Sequence, residues 1–479
     1  MAFLPLELIR NVCSNLSTTD IKNVRLTCRA LRDIAAEFLI SEVHILYKIQ
    51  SITRLRKISL HPIFSQYVTS ILYEGDRLDH YKTRKDWEKH VMDDRWRARM
   101  PKRPTHNAST RDHIMFDRAV ERWAEGPRHS YTEKELKKGW NRYKALYKEQ
   151  EEIGERNMDH REIARAILRF PKLKVIRISN DCFVCETTPY LKKSYRDCLV
   201  MPDGEYGIEP YQPSGFRQFQ SVMMGLALPE KKDPGALMSR GIALPSSMDH
   251  SKQPANIRTL HIGSVSWFIF KATPPSLMSS IHETMRHVRD LKLVLNTGRS
   301  EHGLQGIEID MCKPHLEKTG CLFRFLIAAP DLEKLHVEFD VMDSTWYAAD
   351  LDDAAGKYTW KKLREVKIGK FYAESETLLG FLDRHKETLE CLTIEDMALE
   401  EGALWSLVLQ AIKGMKIWKQ VALHGDLLVT GADDLGQWFI DYPKHDQSSS
   451  TANMRVKIED YVMRRSTMNP LVVDREGVD

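Results

Sequence analysis

Phe170-Pro171-Lys172-Leu173-Lys174-Val175-Ile176-Arg177-Ile178 and Ala329-Pro330-Asp331-Leu332-Glu333-Lys334-Leu335-His336-Val337 are two versions of one phrase. Each closes a helical run, turns at a proline and enters a stretch with apolar residues at the first, fourth and sixth places. The same template returns as Ile257, Leu260, Ile262, as Val288, Leu291, Leu293, as Leu363, Val366, Ile368 and as Leu389, Leu392, Ile394; Trp418, Val421, Leu423 is a weaker copy. Alternating aliphatic residues over so short a span suit a strand with one buried face. Helical patterns precede most copies, at Ile163–Phe170, Leu322–Ala328, Leu378–His385 and Leu404–Ile412. Proline belongs just beyond such helices because it cannot continue them.

A unit of helix, turn and short strand cannot bury its apolar side alone, so successive units must stack. This resembles a leucine-rich-repeat array. The steps between first-strand positions, at 288, 332, 363, 389 and 418, are irregular and partly longer than the roughly 20–29 residues of regular members. The asparagine or cysteine ladder of those members is also missing, so the array is a degenerate one. An ordinary α/β domain with several strands is the competing architecture.

The first forty residues read differently. Leu4-Pro5-Leu6-Glu7 opens a helix, proline being favoured in the first turn. Leu8, Ile9, Val12 and Leu16 recur at helical spacing. Ser17-Thr18-Thr19-Asp20 carries a capping-box pattern, and a second helical run follows with Ile21, Val24, Cys28 and Leu31 on one face. So short a helical module buries little core, and part of its apolar surface must be covered by something else.

Leu4-Pro5-x-Glu7-Leu8-Ile9, then Val12, Leu16, Asp20-Ile21 and Val24-Arg25-Leu26-Thr27-Cys28-Arg29-Ala30-Leu31-Arg32 resembles the F-box. A plain helical hairpin would not demand Leu-Pro-x-Glu and Cys-Arg together. Leu31 departs from the tryptophan that many members carry there, yet suits the same burial. The resemblance implies binding of a Skp-type adaptor and, through it, a cullin ubiquitin ligase. Carried over, the adaptor contact would fall on Leu4, Pro5, Leu8, Ile9, Val12, Leu16, Ile21, Val24, Leu26 and Leu31. Leu8 and Val24 could equally pack inside the module.

The expected class is therefore α/β: an N-terminal helical F-box followed by an irregular leucine-rich-repeat-like solenoid with a charged helical insertion. Residues 1–40 form the F-box, and 41–78 hold the first repeat-like units, with a strand at Glu42–Leu46, a helix at Ile52–Leu60 and a strand at Val68–Tyr73. A charged insertion at 79–155 is partly helical, striped by Leu136, Trp140, Tyr143 and Tyr147. The array runs over 156–445, with an irregular loop region at 201–256 that contains one helix near Phe216–Leu226. The polar tail, 446–479, ends the chain, with Arg455–Val462 as a last strand.

The 479 residues are 42% hydrophobic and 29% charged, with a net charge of +4, which describes a globular protein and implies neither nucleic acid nor membrane. No run is long enough to span a bilayer, and the N-terminus has no secretory pattern. Eight scattered cysteines fit a reducing compartment, cytoplasmic or nuclear.

Chemical motifs are few. Cys182, Cys185 and Cys198 have metal-like spacing but lack a fourth ligand. His282 and His287 stand five apart, where zinc proteases need four. No phosphate loop or nucleophile elbow occurs. The basic run Arg95–Arg103 is diluted by Asp86, Glu88, Asp93 and Asp94. No catalytic residue, metal or cofactor is implied, and the chain reads as a substrate receptor, with a non-degradative interaction scaffold as the alternative. Residues between the apolar template positions should face the open side of the sheet. Lys174, Arg177, Arg258, His261, Arg289, Lys292, Lys334, His336, Arg364 and Lys367 outnumber the acids Asp290, Glu333, Glu365 and Glu390 there. That excess points to an acidic or phosphorylated protein target.

Overall fold

The template copies are successive strands of one parallel sheet. A computed structural model describes residues 5–75, 77–92, 131–179, 195, 197–200, 215–227, 256–297, 306–340, 349–415, 418–430, 438–440 and 451–471. Among them, the strands are β1 (Glu42–Leu46), β2 (Ser70–Glu74), β3 (Val175–Ser179), β4 (Thr259–Ser266), β5 (Asp290–Asn296), β6 (Lys334–Asp340), β7 (Glu365–Gly369), β8 (Tyr372–Ala373), β9 (Cys391–Leu399), β10 (Gln420–Val429) and β11 (Trp438–Phe439). They lie in chain order, with β8 a short side pair of β9, and only β10 with β11 is antiparallel.

The register aligns the copies. Ile71, Ile176, Leu260, Leu291, Leu335, Val366, Leu392 and Val421 form one cross-strand row, and every one is buried. The leading residues Leu173, Ile257, Val288, Leu332, Leu363, Leu389 and Trp418 are buried beside them. The template also fits Ile40, Val43, Ile45 and Val68, Ile71, Tyr73, so β1 and β2 belong to the same series. Parallel neighbours need long crossovers, and helices supply them.

Three helices precede the sheet: α1 (Leu6–Ser14), α2 (Thr18–Thr27) and α3 (Arg29–Ala36). Between strands come α4 (Ile49–Leu60), α5 (Arg84–Met92), α6 (Glu133–Glu155), α7 (Met158–Arg169), α8 (Phe216–Ala227), α9 (Ile269–Ala272), α10 (Pro275–Thr284), α11 (Gly306–Thr319), α12 (Cys321–Ile327), α13 (Leu351–Ala355), α14 (Ser375–Arg384) and α15 (Trp405–Met415). The second helical run read over 21–32 is really two helices. Cys28 breaks it in extended conformation (φ −157°, ψ 166°) and is exposed. The Thr27 hydroxyl donates to the Val24 carbonyl at 2.7 Å, a local bond of the kind that competes with helix continuation.

A second correction concerns the C-terminal region. Arg455–Val462, expected as a strand in a polar tail, lies within α16 (Thr451–Val462). Ile458, Tyr461 and Val462 are buried in the main core. Their spacing of three and four is a helical period, not a strand's.

Helix α8 lies in the stretch read as irregular, yet it is an inner helix packed between α7 and α10. A Cβ on Gly225 would stand 2.9 Å from Ala164 Cα, so only glycine allows this approach of α7 and α8. The striped insertion helix α6 builds a smaller core with Trp87, Leu136, Tyr143, Tyr195 and Cys198. Burial pushes the Cys198 thiol up to about 12. Cys182, Cys185 and Arg95–Arg103 lie outside the described residues. Near the far end of the sheet Gly425 has φ +65°, and a Cβ there would meet Asp396 Oδ1 at 1.7 Å. That carboxylate accepts the Asp426 N–H at 2.8 Å. Gly425→Ala is expected to cost at least about 1–2 kcal/mol from the backbone alone, seen as a lower urea midpoint with an unchanged slope.

Candidate interaction surfaces

Pro5 stands just before α1, and its carbonyl accepts from the Leu8 and Ile9 N–H groups. Ser17 caps α2 by accepting the Asp20 N–H at 3.2 Å and donates its hydroxyl proton to the Asp20 carboxylate at 2.6 Å. The three helices close on a small core of Cys13, Ile21 and Ala35, with Ile9, Leu16, Val24, Phe38 and Leu39 against it. Arg10 ties α1 to Glu37 beyond α3 at 2.9 Å, and Arg25 lies over the Phe64 ring at 5.4 Å. The module is thus anchored to the start of the sheet.

Burial sorts the predicted contact residues. Ile21 is interior, and Ile9, Leu16 and Val24 are half-buried core residues. Leu31 is half-buried. Pro5 is exposed, and Leu8, Val12 and Leu26 are 49%, 56% and 85% exposed. Leu8 and Val12, four apart, share one stripe of α1. Of the two positions read as able to pack inside, Val24 lies against the module's core and Leu8 is about half exposed. Leu6 is exposed too and was not singled out by sequence. Leu4 lies outside the described residues.

The predicted cationic face divides in two. Arg177, His261, Lys292, His336 and Lys367 form one cross-strand row, with Lys334 on the same face two places earlier. Lys174, Arg258, Arg289 and Arg364 each stand one residue before a strand and lie outside that row. These four precede their strands and form a rim joined by backbone bonds, Arg258 N to Lys174 O and Arg289 N to Arg258 O, both 2.8 Å.

In the cross-strand row and at Lys334, every cation but Lys292 is matched by a carboxylate among the described residues. Arg177 pairs with Glu42, His261 with Asp290 at 3.0 Å, Lys334 with Glu365 at 2.6 Å and His336 with Glu338 at 2.8 Å. Lys367 reaches Glu338 at 3.1 Å and Glu395 at 2.7 Å. Glu42, Glu338 and Glu395 were missed by the template count because they fall outside its counted positions. Burial opposes ionisation of Glu338, but the His336 hydrogen bond and Lys367 hold its carboxyl down at about 2. Burial pushes the His336 and Lys292 values down. A depressed acid stabilises the fold above its unfolded value of 4.5 and loses that contribution as pH falls toward 2. Glu338→Gln is expected to remove at most about 3 kcal/mol of this acid limb at ~1.4 kcal/mol per pKa unit. Urea titrations from pH 5 to about 2 check it; parallel stability curves for the two proteins would refute it.

One polar cluster that the sequence did not reveal is interior. Arg217 on α8 grips Asp159 on α7 with two bonds, Nε to Oδ2 at 2.8 Å and Nη2 to Oδ1 at 2.6 Å. Asp159 is fully buried and Tyr73 donates to it at 3.3 Å. Ser221 lies 3.0 Å from His160 Nδ1 and donates to the Arg217 carbonyl at 2.8 Å. Burial lowers the His160 value to about 4. The serine is fully buried and the carboxylate is occupied by Arg217, so no substrate can reach this pair. Its role is to dock α8.

Residues 1–45 match the F-box-like family model. The described α1–α3 module is therefore an F-box-like domain, joined to an α/β body of helices and parallel strands, and this supports reading the chain as an F-box protein. Such a domain supports binding of a Skp-type adaptor. Comparison with curated proteins gave no match.

Proposed function

We propose that the chain is the substrate-recognition subunit of a cullin-type (SCF) ubiquitin ligase. The F-box-like domain binds the adaptor, and a leucine-rich-repeat-like array presents a target protein. The observation that carries the first half is the exposure of Leu8, Val12 and Leu26 on a module whose own core is already filled by Cys13, Ile21 and Ala35. Apolar side chains left out of a filled core are available to a partner. The array reading is supported by template copies stacked in register and in chain order. Ligase chemistry belongs to other subunits in this reading, the chain itself is no enzyme, and a cytoplasmic or nuclear location goes with it.

Co-expression with a Skp-type adaptor is the test. Stoichiometric co-purification is expected. A well-folded chain that leaves the adaptor behind would remove the receptor reading and leave a scaffold built on the array. Ubiquitination of a bound target that depends on Leu8 and Val12 separates a degradative receptor from an adaptor-bound scaffold.

A further inference from the structure

The rim at the strand starts is not uniform. Backbone bonds run along it through Ser41, Thr69, Lys174, Arg258 and Arg289, then through Glu333, Arg364, Glu390 and Lys419. The first part carries only hydroxyls and cations; the second alternates in sign. Lys174 and Arg258 are exposed and make no ion pair among the described residues. Arg289 is 46% exposed and touches Glu333 only at 3.3 Å. Lys172, just before the ladder, is exposed and lies over the Tyr67 ring at 4.4 Å.

We propose that this half-rim, Lys174–Arg258–Arg289, and not the open face of the sheet, is the docking site for an extended protein segment carrying two phosphorylated or acidic side chains. Neighbouring strands are about 4.8 Å apart, so the outer two cations lie roughly 10 Å from each other. An extended peptide covers that span between residues i and i+3, at about 3.3 Å per residue. Among the described residues, all of the open-face cations but Lys292 already pair with Glu42, Asp290, Glu338, Glu365 or Glu395, and an anion there would have to displace those carboxylates. At the rim it would meet Lys174 and Arg258, which make no ion pair among the described residues, and Arg289, which shares only Glu333 at 3.3 Å, a setting in which charge-assisted bonds to phosphate are strong. The inference rests on the receptor reading for its biological sense, but its geometry is independent of the F-box-like domain.

The test uses the full chain and a randomised decapeptide library with phosphoserine fixed at i and i+3, beside the same library with serine. Retention of the phosphorylated library is expected, with affinity falling about tenfold or more in Lys174→Glu/Arg258→Glu and unchanged in Arg364→Glu, the rim cation flanked by acids. Equal retention of the serine library, or equal loss in Arg364→Glu, would overturn the proposal. So would a single-stranded DNA 12-mer that binds as tightly as the phosphopeptides, since the rim would then be a general polyanion surface. Adaptor co-purification measured on the same variants keeps the two readings apart. Phosphopeptide binding without adaptor binding leaves the rim standing and the receptor reading fallen, and the reverse pattern does the opposite.

Discussion

Leu8→Glu/Val12→Glu is expected to abolish adaptor association while the chain stays folded. The two side chains are 49% and 56% exposed on one stripe of α1, so the free protein loses far less packing than at a core position when they become charged. Burying a leucine or valine at an interface contributes about 1.5–3 kcal/mol. With only about half of each side chain left to bury, losing both costs about 1.5–3 kcal/mol, roughly one to two orders of magnitude in Kd, and a carboxylate forced against an apolar partner adds to that. Titration calorimetry against the purified adaptor, with thermal melts of the free variants, checks both halves. Ile21→Ala is the informative contrast. Ile21 is 1% exposed, so its loss should act by loosening the module and should lower the melting temperature first. Affinity unchanged within about threefold in the double variant, less than about 1 kcal/mol, would show that this stripe is not the contact.

The second large effect is in the interior. Asp159→Asn keeps the side-chain shape but leaves Arg217, with its side chain 14% exposed, beside no anion. Breaking a buried pair by removing one partner costs about 3–5 kcal/mol, while replacing both partners by apolar groups can be nearly neutral. Asp159→Asn is therefore expected to lower the urea midpoint sharply, and Asp159→Asn/Arg217→Met to recover much of the loss. The pair joins α7 to α8, so protease cutting should increase around 216–227 in the single variant. A single-variant cost under about 1 kcal/mol, the range of exposed pairs, would mean that apolar packing around Phe219, Val222 and Met223 holds α8 without the ion pair.

These two sites differ in how far they could be read beforehand. The stripe Leu8, Val12 follows from spacing on one helix. Which of the family-like positions face outward did not, because burial of Ile21 and Val24 depends on where α3 closes over α2. The break at Cys28 was hidden for a similar reason: Ile21, Val24, Cys28 and Leu31 keep helical spacing across it. Helix α8 was visible in Phe219, Val222, Met223 and Leu226, yet its surroundings of proline, glycine and serine gave no sign that it is an inner helix. Asp159 and Arg217 stand 58 positions apart, and nothing local links them.

The sequence alone determined the repeated strand template, the helices between its copies, the insertion helix striped by Leu136 and Tyr143, and the F-box-like start. All of these depend on periods of two or 3.6 residues and on caps and prolines, which act within a few positions. Only the tertiary structure decided which charges meet. Arg177 finds Glu42 from 135 positions away, and Lys367 finds Glu338 and Glu395, because parallel strands place distant residues side by side. That pairing largely balances an apparently cationic face and leaves Lys174 and Arg258 at the rim without an ion pair among the described residues. Charge complementarity is a property of distances in space, and a linear count of lysines and arginines does not contain them.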